Sequence, residues 1–168
     1  VTLVRQIPHF VCGKRTEGTS GRYADAFDPS TGEVQAQVAL ASTAEVSAAI
    51  DNAERAQVTW AGMNPQVRAR VMMKFVDLIA RDRDELARLL ASEHGKTFDD
   101  AKGDIQRGVE VIEFCIGAPH LLKGEYTVGA GTGIDVYSMR QALGVVAAIT
   151  PFNFPAMIPL WKIGPALA

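Results

Sequence analysis

The chain has 168 residues, 48% hydrophobic and 21% charged, a composition typical of one ordinary globular domain or of the leading part of a larger one. Its net charge of −2 argues against the basic surface that nucleic-acid and anionic-membrane binders carry. Its longest apolar runs, such as residues 142–149, are far shorter than the roughly 20 residues of a membrane-spanning helix.

The N-terminus and the cysteines indicate the cellular compartment. No apolar core followed by a small-residue cleavage site is present, so we expect no secretory signal and a cytoplasmic protein. Cys12 and Cys115 have no metal-ligand spacing and form no disulfide framework, which predicts two reduced thiols. His9, His94 and His120 form no metal-ligand spacing and no Ser-His-Asp arrangement, so we predict no metal site.

The first forty residues favour β-structure. A short strand within residues 9–18 runs into a turn. The alternating pattern of residues 23–42 is interrupted by Asp28, Pro29 and Gly32, which are typical turn residues. This pattern predicts a hairpin.

Helices follow. Ser42 or Thr43 is positioned as an N-cap, and Glu45 completes an approximate capping box for a helix that runs to about Trp60. Apolar residues recur at helical spacing along this segment, which supports the same prediction.

Residues 64–116 predict further helices. The charged run at residues 81–84 suggests a break that divides residues 64–96 into two helices, with Gly95 as the terminator. The next helix, from about residue 97, ends at Gly117.

Arg107 is a candidate site residue within that last helix. It stands between Gly103 and Gly108, and helical glycines cost about 1 kcal/mol each relative to Ala. We therefore expect either a close packing contact here or an Arg side chain that must reach past the main chain. A guanidinium can bind a substrate carboxylate through two hydrogen bonds. Alternatively, Arg107 is solvated, or it pairs within the chain with Asp104 or Glu110.

Residues 123–141 predict an extended hairpin or arm. Two β-rich runs flank glycines at 129, 131 and 133, a spacing that does not match the dinucleotide fingerprint G-x-G-x-x-G. A hairpin tip is therefore favoured over a phosphate cradle. We expect the arm to pair with another chain or with a distant part of its own chain.

The segment "LGVVAAIT" predicts a buried strand over residues 144–149 that leads into "TPFNFP" and a helix from about Pro155. Open α/β sheets bind ligands at the carboxyl ends of their strands. Pro151 and Pro155 restrict the turn, so the Asn153 amide can donate to an oxygen that becomes negative during acyl transfer. Alternatively, Asn153 caps the following helix.

The order of elements predicts the leading portion of an α/β protein. A final helix without a C-cap or a following strand predicts an incomplete domain.

The sequence "GVVAAITPFNFPAMIPLWKIGPALA" resembles the NAD(P)-dependent aldehyde dehydrogenase superfamily, and the resemblance extends over essentially the whole chain. The stretches "VEVIEFCIGAPHLLKGEY" and "VYSMRQ" are similar to the CoA-acylating methylmalonate-semialdehyde dehydrogenase branch. The resemblance implies an incomplete NAD-binding, Rossmann-type α/β domain made of residues 1–122 and 142–168. It also implies an oligomerisation arm at residues 123–141 and the absence of the catalytic domain.

The resemblance also implies a reaction. A cysteine thiolate attacks the aldehyde, a hydride passes to NAD, and CoA takes the acyl group while a carboxylate leaves as CO2. The products are propionyl-CoA or acetyl-CoA, as in valine catabolism. The implied partners are a small-molecule aldehyde and further copies of the chain in a dimer or tetramer, with no nucleic acid and no membrane.

Site residues follow from the same resemblance. Asn153 would be the catalytic oxyanion donor. The cofactor would contact Ile149, Thr150, Pro151, Phe152 and Asn153, and the substrate would contact Arg107, Phe154, Ile158 and Trp161. The catalytic cysteine is expected beyond residue 168, so the chain alone is expected to be inactive. The alternatives are an aldehyde dehydrogenase that hydrolyses its thioester, and a non-catalytic binding or assembly fragment.

Overall fold

In the computed structural model, which describes residues 4–168, short strands come first and helices follow. In chain order the elements are β1 Arg5–Ile7, β2 His9–Val11, β3 Lys14–Thr16, β4 Tyr23–Phe27, β5 Val34–Ala39, α1 Thr43–Gly62, α2 Pro65–His94, α3 Phe98–Ile116, α4 Ala118–Leu121, β6 Tyr126–Gly131, β7 Ile134–Tyr137 and α5 Met157–Leu167. Within this described range, no helix is both long enough and apolar enough to cross a bilayer.

The N-terminal strands form two small sheets. β5 lies between β1, to which it is parallel, and β4, to which it is antiparallel, while β2 and β3 form a separate hairpin. The predicted β4–β5 hairpin is confirmed. Gly32 adopts a φ of 75° in its turn, and its N–H donates to the Asp28 carbonyl at 2.8 Å.

The N-terminus of α1 carries the predicted capping box. The Ser42 hydroxyl accepts from the Glu45 N–H, and the Glu45 carboxylate accepts from the main-chain N–H groups of Ser42 and Thr19. These hydrogen bonds, the one from Ser42 first, lower the pKa of Glu45 to about 2. No residue of α1 is buried within residues 4–168. Because packing does not fix the helix there, the cap is the main local determinant of where α1 begins.

The region predicted as two helices is one helix, α2, and the predicted break at residues 81–84 is wrong. Ile79 before the charged run and Ala87 and Leu90 after it are buried on one face of the helix. Ala87 and Leu90 follow Ile79 by eight and eleven residues, which is helical spacing. Arg and Asp side chains at the surface do not break a helix, since the run contains neither Gly nor Pro. Gly95 ends α2 in the left-handed conformation at φ 82°, as predicted.

α3 packs against α2 and forms the core with it. Its N-cap, Thr97, accepts from the Asp100 N–H through its side chain. The central cluster of buried residues is Ile79, Ala87, Leu90, Ala101, Ile105 and Val109. The predicted helix end at Gly117 is confirmed.

α5 lies close against α3 because two glycines leave room for it. A Cβ on Gly108 would lie 2.5 Å from Leu160 Cδ1 and 3.2 Å from Met157 Cα, and one on Gly164 would lie 2.7 Å from Ile112 Cδ1. The close packing expected around Arg107 is therefore present at Gly108. A Cβ on Gly103 would lie in open space, so the expectation of close packing is wrong there.

Residues 123–152 contain the predicted hairpin but not the predicted strand. β6 and β7 pair antiparallel around Thr132 and Gly133, which confirms the hairpin tip. Residues 144–149, expected to form a buried strand, are exposed and belong to no sheet. A strand is defined by hydrogen bonds to a neighbour, and residues 4–168 supply no neighbour at this position.

Candidate functional site

The turn that carries Asn153 leads directly into α5. α5 begins at Met157, two residues later than expected. The N-cap of α5 is Ala156, which supplies no side-chain cap. The exposed Asn153 side chain makes no hydrogen bond to any residue in the described range, so the alternative that Asn153 caps this helix is wrong.

Asp104 of α3 caps α5 from outside. Its Oδ1 accepts from the Met157 N–H at 2.7 Å, across 53 residues of sequence. Its Oδ2 accepts from Lys96 Nζ at 2.9 Å, which also forms an ion pair. The Asp104 residue is 1% exposed, and the carboxylate is satisfied by these two charge-assisted contacts.

Lys96 also contacts the turn itself. Its Nζ lies 3.5 Å from the Asn153 carbonyl oxygen, a long hydrogen bond, and 4.7 Å from the centroid of the Phe154 ring. One lysine therefore joins the buried carboxylate of α3 to the turn that presents Asn153.

Sequence reasoning missed both Lys96 and Asp104. A signal was present for Asp104, because residues 101, 105, 108, 109 and 112 form the buried stripe of α3 and position 104 falls on the same face. A carboxylate on an apolar face needs a partner, and that requirement could have identified it.

Arg107 is exposed on α3 beside α5. Its carbonyl oxygen accepts from the Trp161 indole N–H at 3.0 Å, so these two predicted substrate residues lie together. The alternative pairing of Arg107 with Asp104 or Glu110 is wrong, because Asp104 is held by Lys96 and Met157, and Glu110 accepts from Gln106 at 3.4 Å. The guanidinium is exposed and makes no ion pair within residues 4–168, which fits the other alternative, a solvated Arg107.

The other two predicted substrate residues, Phe154 and Ile158, are half-buried. An apolar cleft of about 430 Å³ lies nearby between α2, α3 and the start of α5. It is lined by Phe75, Leu86, Pro155 and Leu160 among others, and by none of Phe154, Ile158 and Trp161. The cleft and the predicted aldehyde pocket are therefore different places.

The predicted cofactor residues form an exposed, extended segment that ends at Asn153. Ile149 and Phe152 are 90% and 89% exposed, with Thr150 and Pro151 between them. The main chain of residues 139–152 makes no hydrogen bond within the described part of the chain. The apolar side chains and the peptide groups of this segment therefore have no packing or hydrogen-bonding neighbour within residues 4–168.

Of the two cysteines, the buried one is not suited to act as the nucleophile. Cys115 is buried on α3, and burial raises the pKa of its thiol, so little of the reactive thiolate forms at neutral pH. Cys12 is exposed in the turn between β2 and β3.

The sequence model of the aldehyde dehydrogenase family matches residues 16–168 of this chain. The malonate-semialdehyde dehydrogenase of Pseudomonas aeruginosa is 44% identical over 160 residues, which cover 95% of this chain and 32% of that protein. The mitochondrial acylating methylmalonate-semialdehyde dehydrogenase of Arabidopsis thaliana is 43% identical over 156 residues, covering 93% of this chain and 26% of that protein.

Among solved structures, a Sinorhizobium meliloti 1021 protein assigned as a methylmalonate-semialdehyde dehydrogenase and complexed with NAD is 59% identical. It superposes with a TM-score of 0.92 over 96% of this chain and 33% of that one. The chain thus spans about a third of that protein's length. The resemblance and the partial α/β fold predicted from the sequence are both confirmed, and the chain belongs to the aldehyde dehydrogenase family.

Proposed function

We propose that this chain is part of an NAD-dependent, CoA-acylating methylmalonate- or malonate-semialdehyde dehydrogenase. The observation that carries the proposal is the Asn153 amide, exposed where an extended segment meets α5 and not used as a helix cap. The names and identities of the relatives support the substrate class. The acylating chemistry is supported by the name of the Arabidopsis relative.

The Asn153 side chain would act at the aldehyde oxygen. That oxygen gains negative charge when a thiolate adds to the carbonyl carbon, and an amide N–H placed about 3 Å away stabilises the charge. A preorganised donor is worth most when its own main chain is fixed. The contacts of Lys96 with the Asn153 carbonyl and of Asp104 with the Met157 N–H support that fixation from the C-terminal side of the turn.

Ile149, Thr150, Pro151 and Phe152 would hold the nicotinamide end of NAD beside Asn153. NAD, when bound, supplies the acceptor for the hydride that leaves the aldehyde carbon. The exposed apolar faces of Ile149 and Phe152 would exclude water from one side of the ring.

Arg107 would bind the carboxylate that distinguishes this substrate class from simple aldehydes. Its guanidinium is exposed, and the hydrogen bond from the Trp161 indole to its main-chain carbonyl keeps the two residues adjacent. Phe154, Ile158 and Trp161 would line the pocket for the aldehyde chain. In the overall reaction the aldehyde carbon loses a hydride to NAD, the CoA thiol takes the acyl group, and the carboxylate leaves as CO2.

Residues 1–122 and 142–168 would belong to the NAD-binding domain, and residues 123–141 would be the arm that joins copies of the chain in a dimer or tetramer. The apolar side chains of Tyr126, Val128 and Ile134 on the β6–β7 hairpin are all more than half exposed, which supports a contact surface there.

The test of the function is NADH formation from malonate semialdehyde by a full-length enzyme that carries this segment. We expect turnover to require CoA and to release CO2. Equal rates with and without CoA would favour a dehydrogenase that hydrolyses its thioester. No turnover with any semialdehyde, despite binding of NAD, would favour a non-catalytic role.

Replacing the oxyanion donor is the sharpest test of the site. In the full-length enzyme, Asn153→Ala should lower kcat by roughly 10²–10³, the scale of losing one such donor. Single-turnover absorbance of NADH would measure this loss. A loss smaller than threefold would return Asn153 to a structural role.

Replacing Arg107 tests the substrate class. Arg107→Leu should raise KM for malonate semialdehyde about 10- to 100-fold, because a hydrogen-bonded charge pair contributes about 1.5–3 kcal/mol. The KM for propanal, which has no carboxylate, should change little. Arg55→Leu, at an exposed position on α1, is the matched control. Equal increases for both aldehydes would contradict the role.

A further inference from the structure

The ion pair between Lys96 and Asp104 holds the turn of Asn153 from its C-terminal side. Asp104 Oδ1 accepts from the Met157 N–H at 2.7 Å. Lys96 Nζ lies 3.5 Å from the Asn153 carbonyl oxygen and over the Phe154 ring. The 2.9 Å contact between Lys96 and Asp104 connects these two contacts.

The main chain of both residues of the ion pair is held in place by the helices around it. Lys96 lies between Gly95, which ends α2, and Thr97, which caps α3, so its main chain is restricted on both sides. Asp104 lies on the buried face of α3, next to Ile105 and one turn before Gly108, against which α5 packs. The Lys96 side chain is 12% exposed and that of Asp104 is 0% exposed, so water competes little for the pair.

The amide of Asn153 has no hydrogen bond of its own within the described residues, so its direction depends on the turn that carries it. A buried ion pair adds little to stability compared with apolar residues of the same volume, yet it can select one geometry. Displacing a reacting group by about 1 Å can lower a rate about 10²-fold.

We propose that Lys96 and Asp104 are positioning residues that orient the Asn153 amide for catalysis. This inference rests on the proposed role of Asn153 as oxyanion donor. Neither residue contacts the substrate in it. They act only through the turn, so their effect should depend on the presence of the Asn153 side chain.

A double-mutant cycle in the full-length enzyme tests the inference. The first variant is Lys96→Met. Because it leaves Asp104 without its charge partner and can impair folding, Lys96→Met/Asp104→Asn is the second, in which the Asn oxygen still accepts from the Met157 N–H. Each is made with Asn153 intact and with Asn153→Ala, and thermal unfolding is recorded for every protein.

Lys102→Met is the matched control. Lys102 also makes an ion pair, with Asp84 at 3.1 Å, and also lies over an aromatic ring, that of Phe98, at 4.4 Å. It has no contact with the turn of Asn153, so its replacement should leave kcat within twofold.

With Asn153 present, we expect both Lys96 variants to lower kcat about 10- to 100-fold, with KM for NAD within twofold. In the Asn153→Ala background the same changes should lower kcat less than twofold. Equal losses in both backgrounds, or no loss with Asn153 present, would overturn the positioning role while leaving the proposed function intact. A loss below threefold for Asn153→Ala alone would overturn both.

Discussion

The contact between α3 and α5 and the segment at residues 139–152 differ in how their groups are satisfied. Between the helices, glycines allow close approach, Ile112 is fully buried, and the one buried carboxylate found in residues 4–168 has two partners. Along the segment, Leu143 is 94% exposed, and the main chain of residues 139–152 makes no hydrogen bond to any part of residues 4–168. Asn153 lies where these two regions meet.

The difference shows which contacts these residues make among themselves and which hydrogen bonds need another strand or a ligand. The helix pair fixes the start of α5 by contacts among its own side chains. The segment has the apolar composition of a buried strand, but its peptide groups need a partner before it can be one. A site built at the junction has one rigid side and one side that a ligand or another strand completes.

The largest expected difference between the two regions is in how much stability is lost when a large apolar side chain is replaced by Ala. In the 168-residue chain, Ile112→Ala should reduce the free energy of unfolding by about 2–5 kcal/mol, because it leaves a cavity between α3 and α5. Ile149→Ala should change it by less than about 0.5 kcal/mol. Urea unfolding followed by circular dichroism measures both.

Equal losses for these two variants would contradict the comparison. The same pair in a full-length enzyme would sharpen it, since a loss above about 1 kcal/mol for Ile149→Ala there means that other residues cover the segment.

A smaller effect is expected from the glycines of α3. Gly108→Ala should reduce stability by about 1–2 kcal/mol, because the added methyl meets Leu160 and the main chain of Met157, and overpacking outweighs the gain in helix propensity. Gly103→Ala, with open space around its Cβ, is the matched control and should raise stability by up to about 1 kcal/mol. Thermal unfolding distinguishes the two, and a stabilising Gly108→Ala would mean that α5 is not held against α3.

The smallest effect is expected at the half-buried capping box of α1. The pKa of Glu45 is lowered from 4.5 to about 2, so its ionised form stabilises the folded state fully above pH 4.5, and this contribution is lost as pH falls from 4.5 to 2. Glu45→Gln should flatten the dependence of stability on pH in this window. Glu54→Gln, at an exposed position on the same helix, should leave it in place. Acid titration of helical circular dichroism provides the measurement.

Turn and cap chemistry was predictable because it acts over a few residues. Ser42 and Glu45 cap α1, Gly95 ends α2, and the glycines near 133 form a hairpin tip, all as the sequence indicated. The charged run at residues 81–84 was misread because charge alone does not end a helix whose buried face continues. Family membership was also readable from the sequence, since the stretch ending at Ala168 carries it.

The sequence by itself determined the cap of α1, the end of α2, the β4–β5 and β6–β7 hairpins and the family of this protein. Only the tertiary structure decided that Asp104, and not Asn153, caps α5, and that Lys96 joins the carboxylate to the turn. The physical reason is distance along the chain. The hydrogen bond between Asp104 and Met157 spans 53 residues, and no local propensity determines which main-chain N–H a buried carboxylate will meet.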